Sequence, residues 1–411
     1  MLIPSIDLMD GKAVQLIQGK KKVIEREDVF ELLEEFSLFG EVAIIDLDAA
    51  LGRGDNKVLI KRLLKVRPCR VGGGIRDLET AREYIKAGAN KIIIGSNCRQ
   101  PWVNKLSKEL LIFAIDAKGD YWATQGWQTI EKDKVIDLIP KLAQRCSEFL
   151  YTQVEKEGLL QGLDTERCEQ VIKSSSVPVT IAGGISNLAD IKWLTSRGAN
   201  GQIGMSIYTG QLNLLDCFLA LIDFEKSQLL PTIVQDVSNN KVLMMAYSSR
   251  ESLAQAFSQG KGIYWSRSRN SLWEKGLTSG NTQQLVQADI DCDGDTLLFK
   301  VKQENSACHF DRYSCFATQR NDFNLEHLTR LLEQRQRQLP DKSFTTKLFQ
   351  SAEFRAEKII EEANELIEAS TYEDVRWEAA DLIFFALVDA QAKGIGFTAI
   401  SDELRSRFND N

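Results

Sequence analysis

The sequence predicts a multidomain fold in which a (β/α)8 TIM barrel is followed by a small β-rich α+β metal-binding domain and an all-α helical domain. Three observations predict this order. Short β-branched runs alternate with helical patterns through residue 224, a stretch dense in Asp and Cys with strand patterns follows, and the pattern from Phe344 onward is helical. A chain of 411 residues also exceeds one ordinary hydrophobic core. We expect domains over residues 1–225, 228–320 and 325–411.

Composition and charge argue against several classes of function. The net charge of −7 argues against a nucleic-acid-binding surface. The first residues, MLIPSIDLMDGK, lack the basic segment of a signal peptide, and no apolar run is long enough to span a bilayer. The eight cysteines are expected to be reduced. We therefore expect a cytoplasmic protein with neither a membrane nor a nucleic-acid partner.

The region before the first linker contains eight candidate strands that alternate with helical patterns, which makes eight βα units. The two halves of this region repeat. The segment GGIRDLETAREYIKAGANKIIIGS from Gly73 matches GGISNLADIKWLTSRGANGQIGMS from Gly183, and Asp7 matches Asp116 at nearly the same spacing. A duplicated half-barrel explains both matches. The candidate strands are residues 2–7, 42–48, 70–74, 91–96, 111–116, 149–154, 179–184 and 201–206.

The repeat carries glycine-rich turns at strand ends, where exposed backbone N–H groups favour an anion. Two matched copies suggest a substrate with a phosphate at both ends. Asp7 and Asp116 end strands one and five, so they are expected to face each other and to supply a general base and a general acid. The alternative is that both only bind loop amides. The phosphate-binding candidates are Gly73, Gly74, Arg76, Gly95 and Ser96 in one cradle and Gly183, Gly184, Gly204, Met205 and Ser206 in the other.

Residues 1–224 resemble the ProFAR isomerase of histidine biosynthesis, through IDLMDGKAVQLIQG, IIDLDAALG, RVGGGIR, GW at 126–127, LYTQVEKEGLLQG and IGMSIYTG. That family performs an Amadori rearrangement of a bisphosphorylated aminoaldose. The resemblance implies Asp7 as the base at the sugar C2 carbon, Asp116 as the acid that opens the ribose ring, and Thr152 as a residue that holds the intermediate. This chain has Gln15 where many members have Arg, and Glu157 where many have Asp.

The stretch GIYWSRSRNSLWEKGLTSGN, residues 262–281, is rich in basic, hydroxyl and aromatic side chains. These side chains suit binding of a phosphate and stacking on a base. An exposed strand pair with a polar turn is the alternative. The candidates are Trp265, Arg267, Arg269, Lys275, Thr278 and Ser279.

The stretch DIDCDGDTLLFKVKQENSACHFDRYSC, residues 289–315, combines hard oxygen and soft sulfur ligands. On an extended chain, alternate positions place the three aspartates of DCDGD on one face. Carboxylates suit Mg2+ and thiolates suit Zn2+. Three thiolates leave zinc one open position, which is the catalytic pattern, and His309 is a candidate proton shuttle. A structural zinc with His309 as fourth ligand is the alternative.

Residues 228–316 resemble phosphoribosyl-AMP cyclohydrolase, through WSRSRNSLWEKGLTSGN, DCDGD and ACHFDRYSCF. That family opens the adenine ring by hydrolysis at a zinc site, as a dimer in which both subunits contribute cysteines. The resemblance implies a homodimer through this domain. It also implies zinc on Cys292, Cys308 and Cys315, and magnesium near Asp291, Asp293 and Asp295.

The C-terminal pattern places acidic residues at helical spacing in EKIIEEANELIEA and WEAADLIFFALV. A solvated surface is one explanation. Acids beside an apolar run, however, favour Mg2+ that carries a pyrophosphate. The segment resembles phosphoribosyl-ATP pyrophosphohydrolase, whose signature falls here on Glu362, Glu365, Glu378 and Asp381. We add Glu361 as a candidate ligand, and Lys347 and Lys358 as candidate phosphate contacts.

Together the resemblances imply a trifunctional histidine-biosynthesis enzyme that acts on small phosphoribosyl nucleotides, with the domains in reverse order of use. One alternative keeps both hydrolases and makes the barrel an inactive scaffold, which Gln15 and Glu157 favour. Another is a nucleotide-sensing binding protein without turnover, which requires a closed zinc site.

Overall fold

The computed structural model describes residues 1–316, 325–340 and 343–408. The chain divides into two compact units. One contains the described residues up to 316, in which the barrel and the strand-rich region pack together, and the other contains those from 325 onward. Among the described residues, no helix combines the length and apolar character that crossing a membrane requires.

Residues 1–225, all described, contain the alternating strands and helices that the sequence predicts. The strands are β1 (Leu2–Met9), β2 (Lys12–Ile17), β3 (Lys21–Arg26), β4 (Ala43–Asp46), β5 (Arg70–Gly72), β6 (Lys91–Ile94), β7 (Leu111–Lys118), β8 (Tyr121–Thr124), β9 (Thr129–Lys134), β10 (Glu148–Gln153), β11 (Val179–Ala182) and β12 (Asn200–Ile203). The helices are α1 (Val29–Ser37), α2 (Leu47–Leu51), α3 (Lys57–Val66), α4 (Leu78–Lys86), α5 (Val135–Leu142), α6 (Thr165–Ser174), α7 (Leu188–Thr195), α8 (Met205–Tyr208) and α9 (Leu214–Ala220).

Within this fully described region, eight parallel strands close a barrel in the order β1-β4-β5-β6-β7-β10-β11-β12, and β12 pairs back to β1. Each predicted strand is therefore confirmed. The unit after β6 differs from its expected helix: it forms two short 3-10 turns, Pro101–Lys105 and Lys108–Leu110. Pro101 lies in the first turn of the former, where its missing N–H is tolerated.

The internal repeat extends to the helix caps. The side chain of Asp77 accepts a hydrogen bond from the backbone N–H of Thr80 and begins α4, and Asn187 begins α7 in the same way with Asp190. Asp77 and Asn187 occupy equivalent positions of the repeat, each shortly after its glycine turn. The matched caps therefore place both glycine turns at the carboxyl ends of their strands.

Two antiparallel hairpins project from the carboxyl ends of the strands, which we call the mouth of the barrel. In one, β2 pairs with β1 and β3, and in the other, β8 pairs with β7 and β9. The sequence patterns did not predict these hairpins, because they are short insertions between a barrel strand and its helix.

The amino ends of the strands, which we call the floor, are closed by a buried ionic cluster. The guanidinium of Arg70, 1% exposed, donates to Glu148 Oε1 at 2.7 Å and to the carboxylate of Glu41. Lys91 Nζ reaches Glu148 Oε2 at 3.2 Å, and the hydroxyl of Thr180 donates to Glu148. The cluster links β5, β6, β10 and β11, together with the segment before β4.

The strand-rich region begins with two antiparallel strands and a helix. Its main sheet has the order β14-β13-β18-β17, and β15 and β16 form a separate antiparallel pair. The elements are β13 (Leu230–Asp236), β14 (Val242–Ser248), α10 (Arg250–Gln259), β15 (Ile263–Ser266), β16 (Ser271–Glu274), β17 (Gln283–Ile290) and β18 (Leu297–Gln303).

This region packs against the barrel floor through aromatic rings and one backbone hydrogen bond. Phe257 of α10 stacks on Phe39 with ring centroids 4.5 Å apart, and it meets Phe218 of α9 edge-on at 5.0 Å. The N–H of Ala288 in β17 donates to the carbonyl of Leu38 at 2.9 Å. The barrel and this region therefore share one continuous apolar core.

The second unit is helical in all its described elements. Its core is small and includes Leu332, Leu348, Phe385 and Val388. Arg355 of the third helix, nearly buried, donates to Asp389 Oδ1 of the fourth at 3.0 Å. The helices are α11 (Leu325–Gln338), α12 (Phe344–Gln350), α13 (Ala352–Glu368), α14 (Tyr372–Ala392) and α15 (Phe397–Phe408).

Replacing Arg70 by methionine should lower the free energy of unfolding by about 3–5 kcal/mol, because Glu148 and Glu41 lose the buried cation that joins them and Glu148 keeps only Lys91 as an ionic partner. Lys61→Met removes the exposed ion pair with Glu83 and should cost no more than about 1 kcal/mol. Urea unfolding followed by circular dichroism measures both. Equal effects of the two substitutions would contradict a special role for the floor cluster.

Candidate active sites

The mouth of the barrel opens into a cavity of about 830 Å³ that contains the predicted pair of aspartates. Asp7 lies near the end of β1 and Asp116 near the end of β7. Thr152 pairs directly with Asp116 across the β7–β10 ladder. Glu157, in the loop after β10, lines the same cavity, so the structure brings together all four residues.

The three carboxyls lie inside the cavity, away from bulk solvent, and this burial changes their protonation. Burial raises the pKa of Asp7 to about 7. Burial, and then the negative charges of Asp7 and Asp116, raise the pKa of Glu157 to about 8. Burial also raises the pKa of Asp116, although hydrogen bonds from Trp127 and Thr152 oppose it. At neutral pH the cavity therefore holds carboxyls that both accept and donate protons.

The sequence patterns did not assign a role to Trp127, although the GW dipeptide marks it. Its indole Nε1 donates to Asp116 Oδ2 at 2.8 Å. The ring packs on Gly19 at the tip of the β2–β3 hairpin, where an added methyl group would lie 2.8 Å from the ring. Two inserted hairpins thus meet over the mouth, and one of them orients a candidate catalytic acid.

Both predicted phosphate cradles line the cavity. Their glycines are required by close packing. A methyl group on Gly73 would lie 2.2 Å from the carbonyl oxygen of Asp46. A methyl group on Gly183 would lie 2.8 Å from the carbonyl oxygen of Gln153 and 3.0 Å from Glu157 Oε2. The carboxyl of Glu157 therefore lies against the second cradle. The other predicted members, Gly74, Arg76, Gly95, Ser96, Gly184, Gly204, Met205 and Ser206, also line the cavity.

The two cradles differ in the charge of the side chains that lie beside them. Arg76 and Arg99 line the cavity on the side of the first cradle, and Arg99 lies over the ring of Trp122 at 4.8 Å. The equivalent positions of the repeat near the second cradle are Ser186 and Thr209, which carry no charge. Arg99 was missed by the sequence reasoning because it lies just beyond the matched glycine motif.

In the strand-rich region, the predicted basic residues lie on the β15–β16 hairpin. Arg267 lies over the ring of Tyr247 with its guanidinium carbon 3.8 Å from the centroid, and Arg269 over Trp273 at 5.9 Å. Trp265 is half-buried, and Thr278 and Ser279 are exposed in the following loop.

Lys275 differs from the other predicted phosphate contacts because it is buried. Its ammonium donates to the carbonyl of Asn281 at 3.1 Å. Burial lowers the pKa of Lys275, and the nearby Cys315 and Cys308 oppose this change. Its side chain therefore faces the cysteines rather than open solvent.

The three predicted zinc ligands divide into a pair and a separate residue. The thiols of Cys308 and Cys315 lie within hydrogen-bonding distance of each other, and burial, followed by Cys308, raises the pKa of Cys315. Cys292 is exposed in the β17–β18 loop, and the three sulfurs do not all lie within 4.8 Å of one another. His309 is exposed and its ring contacts Phe310.

The carboxylates of Asp291, Asp293 and Asp295 gather within 4.8 Å, as the sequence predicts. The expected extended chain is wrong, however, because these residues form the turn between β17 and β18. Gly294 has φ +77°, and Asp291 Oδ1 accepts hydrogen bonds from the N–H groups of Gly294, Asp295 and Thr296. The turn therefore gathers the acids.

In the helical unit, carboxylates of α13 and α14 form a second acidic group. Glu362, Glu365 and Glu378 lie within 4.8 Å of one another. Burial, followed by the negative charges of Asp381 and Glu365, raises the pKa of Glu362. Glu361 lies outside this group and pairs with Lys358 at 2.7 Å. Lys347 lies on α12.

Comparisons with known proteins match each part of the chain. The family model described as histidine biosynthesis protein matches residues 1–213. Those described as phosphoribosyl-AMP cyclohydrolase and phosphoribosyl-ATP pyrophosphohydrolase match residues 244–317 and 325–408.

Two of the similar relatives align with this chain over almost their whole length. The 1-(5-phosphoribosyl)-5-((5-phosphoribosylamino)methylideneamino) imidazole-4-carboxamide isomerase of Methanocaldococcus jannaschii is 35% identical over 52% of this chain and 96% of that protein. The histidine biosynthesis bifunctional protein HisIE of Bacillus subtilis is 35% identical over 46% of this chain and 95% of that protein.

A histidine biosynthesis trifunctional protein of Saccharomyces cerevisiae is 42% identical over 43% of this chain. The match spans only 22% of that protein, so most of the yeast protein has no counterpart in the aligned residues.

The acidic group of α13 and α14 should bind a divalent cation, because a cation relieves the mutual repulsion of its carboxylates. Mn2+ serves as the probe, and its free concentration is read by electron paramagnetic resonance. Glu362→Gln should bind one fewer Mn2+ per chain than the unmodified protein, whereas Glu361→Gln should bind the full number. If Glu361→Gln also bound one fewer Mn2+ per chain, Glu361 would be a ligand of the same ion and its placement outside the group would be wrong.

Proposed function

The chain belongs to the histidine biosynthesis protein family, and we propose that its three regions catalyse consecutive steps. The helical unit removes pyrophosphate from phosphoribosyl-ATP, the strand-rich region opens the adenine ring of phosphoribosyl-AMP, and the barrel isomerises the resulting ProFAR. Domain matches in this order, together with separate isomerase and bifunctional relatives that each align almost completely, support the three activities. The barrel is assigned as the isomerase because Asp7, Asp116 and Glu157 lie in one cavity together with the two matched glycine cradles.

In the barrel, an acid protonates the ribose ring oxygen, the C1–O bond breaks, and a C1=N double bond forms. The carboxylate of Asp7 then removes the C2 proton, and the resulting enolamine tautomerises to the ribulosyl ketone. Asp116 is one proton donor, oriented by Trp127 and Thr152. Glu157 is the second, since its pKa of about 8 keeps it protonated at neutral pH. The two cradles hold the terminal phosphates.

In the strand-rich region, Cys308 and Cys315 hold zinc with a third cysteine. Zinc, when bound, supplies a Lewis acid that makes water nucleophilic near neutral pH. Within one chain Cys292 is not gathered with the other two sulfurs, which supports a homodimer whose partner completes the site. The exposed ring of His309 moves a proton between water and the adenine ring, and the β15–β16 hairpin binds the nucleotide through Arg267 and Arg269.

Magnesium suits both acidic groups. Each group brings three carboxylates close together, and their negative charges repel one another unless a cation lies between them. Magnesium, when bound to the helical unit, neutralises charge on the phosphates during release of pyrophosphate. Glu362, Glu365, Glu378 and Asp381 hold it there, and Asp291, Asp293 and Asp295 hold it beside the cyclohydrolase site. The eight free cysteines support a reducing compartment, the cytoplasm.

Purified protein supplied with phosphoribosyl-ATP, Mg2+ and Zn2+ should accumulate the ribulosyl product, identified by chromatography. Asp7→Asn should stop the chain of reactions at ProFAR, with isomerisation slowed by at least about 100-fold. If the unmodified protein itself stops at ProFAR, the two hydrolases are active and the barrel is a scaffold.

The isomerase should show a bell-shaped dependence of kcat/KM on pH, measured with ProFAR as substrate. Below about pH 7 the rate falls because Asp7 is protonated, and above about pH 8 it falls because Glu157 loses its proton. Glu157→Gln should lower the maximum and remove the alkaline limb near pH 8. The control is Glu155→Gln, which changes an exposed carboxylate of the same loop and should keep both limbs. An unchanged alkaline limb in Glu157→Gln would assign that limb to another group.

A further inference from the structure

The zinc-binding pair of cysteines lies on a short excursion of the chain, residues 307–315, which we call the cysteine segment. Its two arms hydrogen-bond to each other: the N–H of Ala307 donates to the carbonyl of Tyr313 at 3.2 Å, and that of Cys308 to Arg312 at 3.0 Å. Asp311 turns the chain with φ +56°, and the tip of the segment is exposed. The distance between the sulfurs of Cys308 and Cys315 therefore depends on the contacts that hold the two arms of the segment against the rest of the domain.

The returning arm is held at three successive residues. The N–H of Cys315 donates to the carbonyl of Leu243 at 2.8 Å, and the hydroxyl of Ser314 donates to the carbonyl of Val242 at 2.8 Å. Both of these contacts anchor the arm to β14. The third anchor is the side chain of Tyr313, which reaches a different part of the domain.

The phenol of Tyr313 reaches the turn between β13 and β14. Its hydroxyl donates to Asp236 Oδ2 at 2.8 Å and accepts from Asn239 Nδ2 at 2.7 Å. Asp236 is 6% exposed, and its other oxygen accepts from the N–H of Ser238. A buried carboxylate fixed on both oxygens gives the phenol one defined position.

We propose that Tyr313 is a positioning residue for the zinc site of the cyclohydrolase region. The Asp236–Asn239 turn holds its phenol, and the phenol fixes the returning arm so that Cys315 stands at the correct distance from Cys308. The inference rests on the proposed zinc-dependent function. The phenol of Tyr313 contacts Asp236 and Asn239, so Tyr313 acts on the site through the backbone just before Cys315. The hydroxyl adds no charge beside the thiolates.

The test substitutes Tyr313→Phe in the full chain, which removes the hydroxyl and keeps the ring. Zinc affinity is measured by competition with a chromogenic chelator, and site geometry by the thiolate-to-metal charge-transfer absorption of the Co2+-loaded protein. We expect zinc affinity to fall about 10- to 100-fold, as for other groups that orient metal ligands, and the Co2+ absorption to change. Added zinc should restore kcat, with KM for phosphoribosyl-AMP unchanged.

The control is Tyr264→Phe, which removes another buried tyrosine hydroxyl of the same domain. That hydroxyl donates to Gln283 Oε1 at 2.7 Å and has no contact with the cysteine segment. We expect zinc affinity and the Co2+ absorption to stay unchanged in this variant. Asp236→Asn, which keeps an oxygen acceptor, should have a smaller effect than Tyr313→Phe, and the double variant should be no worse than Tyr313→Phe alone.

Three outcomes overturn the proposal. Wild-type zinc affinity and absorption in Tyr313→Phe would show that the phenol does not set the pair. An equal loss in Tyr264→Phe would show a general loss of stability. Absence of zinc binding by the unmodified protein would overturn the zinc function together with the proposal, and this outcome differs from the first two because it requires no substitution.

Discussion

The rest of the first unit depends on the ionic cluster at the barrel floor. A closed barrel of eight strands needs its strand ends fixed in one register, and the guanidinium of Arg70 does this by joining carboxylates from distant parts of the chain. The Glu148 carboxylate receives three different donors, from Arg70, Lys91 and Thr180. Burial of these charges is tolerated because they are paired and hydrogen-bonded. With the floor fixed, the carboxyl ends are free to carry loops of varied length.

The same floor determines where the second enzyme-like region is attached. Phe257 stacks on Phe39 and meets Phe218, and its ring also contacts Phe299 in the neighbouring sheet. Contacts between the two regions lie at the amino ends of the barrel strands, whereas Asp7 and Asp116 lie near the carboxyl ends. Attachment at the floor therefore leaves the mouth open to a bisphosphorylated substrate. The buried cluster and the apolar layer formed by Ile93, Ile112, Leu150 and Ala182 fill the interior between these ends.

Features with a local or repeated cause were predictable from the sequence. The eight barrel strands and both glycine cradles follow from strand period and the internal repeat, whereas the gathering of Glu362, Glu365 and Glu378 follows from the resemblance to phosphoribosyl-ATP pyrophosphohydrolase. Features that depend on contacts between distant parts of the chain could not be predicted from the sequence. Lys275 reads as an exposed cation in a polar stretch, but packing of the following loop buries it. The role of Trp127 depends on a hairpin inserted after β7, and the separation of Cys292 from Cys308 depends on the arrangement of two different loops. Neither loop arrangement leaves a periodic signal in the sequence.

The carboxylates of the barrel mouth and those of α13 and α14 relieve their mutual repulsion in different ways. In the barrel mouth, burial raises the pKa of Asp7 to about 7, and burial, followed by the charges of Asp7 and Asp116, raises the pKa of Glu157 to about 8. Protons relieve the repulsion there, and we propose that these protons move in the isomerisation. On α13 and α14, burial, followed by neighbouring charges, raises the pKa of Glu362 and Glu378, but both lie at the edge of a helix pair. A divalent cation, as we propose, would relieve the repulsion there and neutralise charge on a pyrophosphate. Carboxyls that lie close together thus suit proton transfer in the barrel cavity, and on α13 and α14 they suit the divalent cation that we propose.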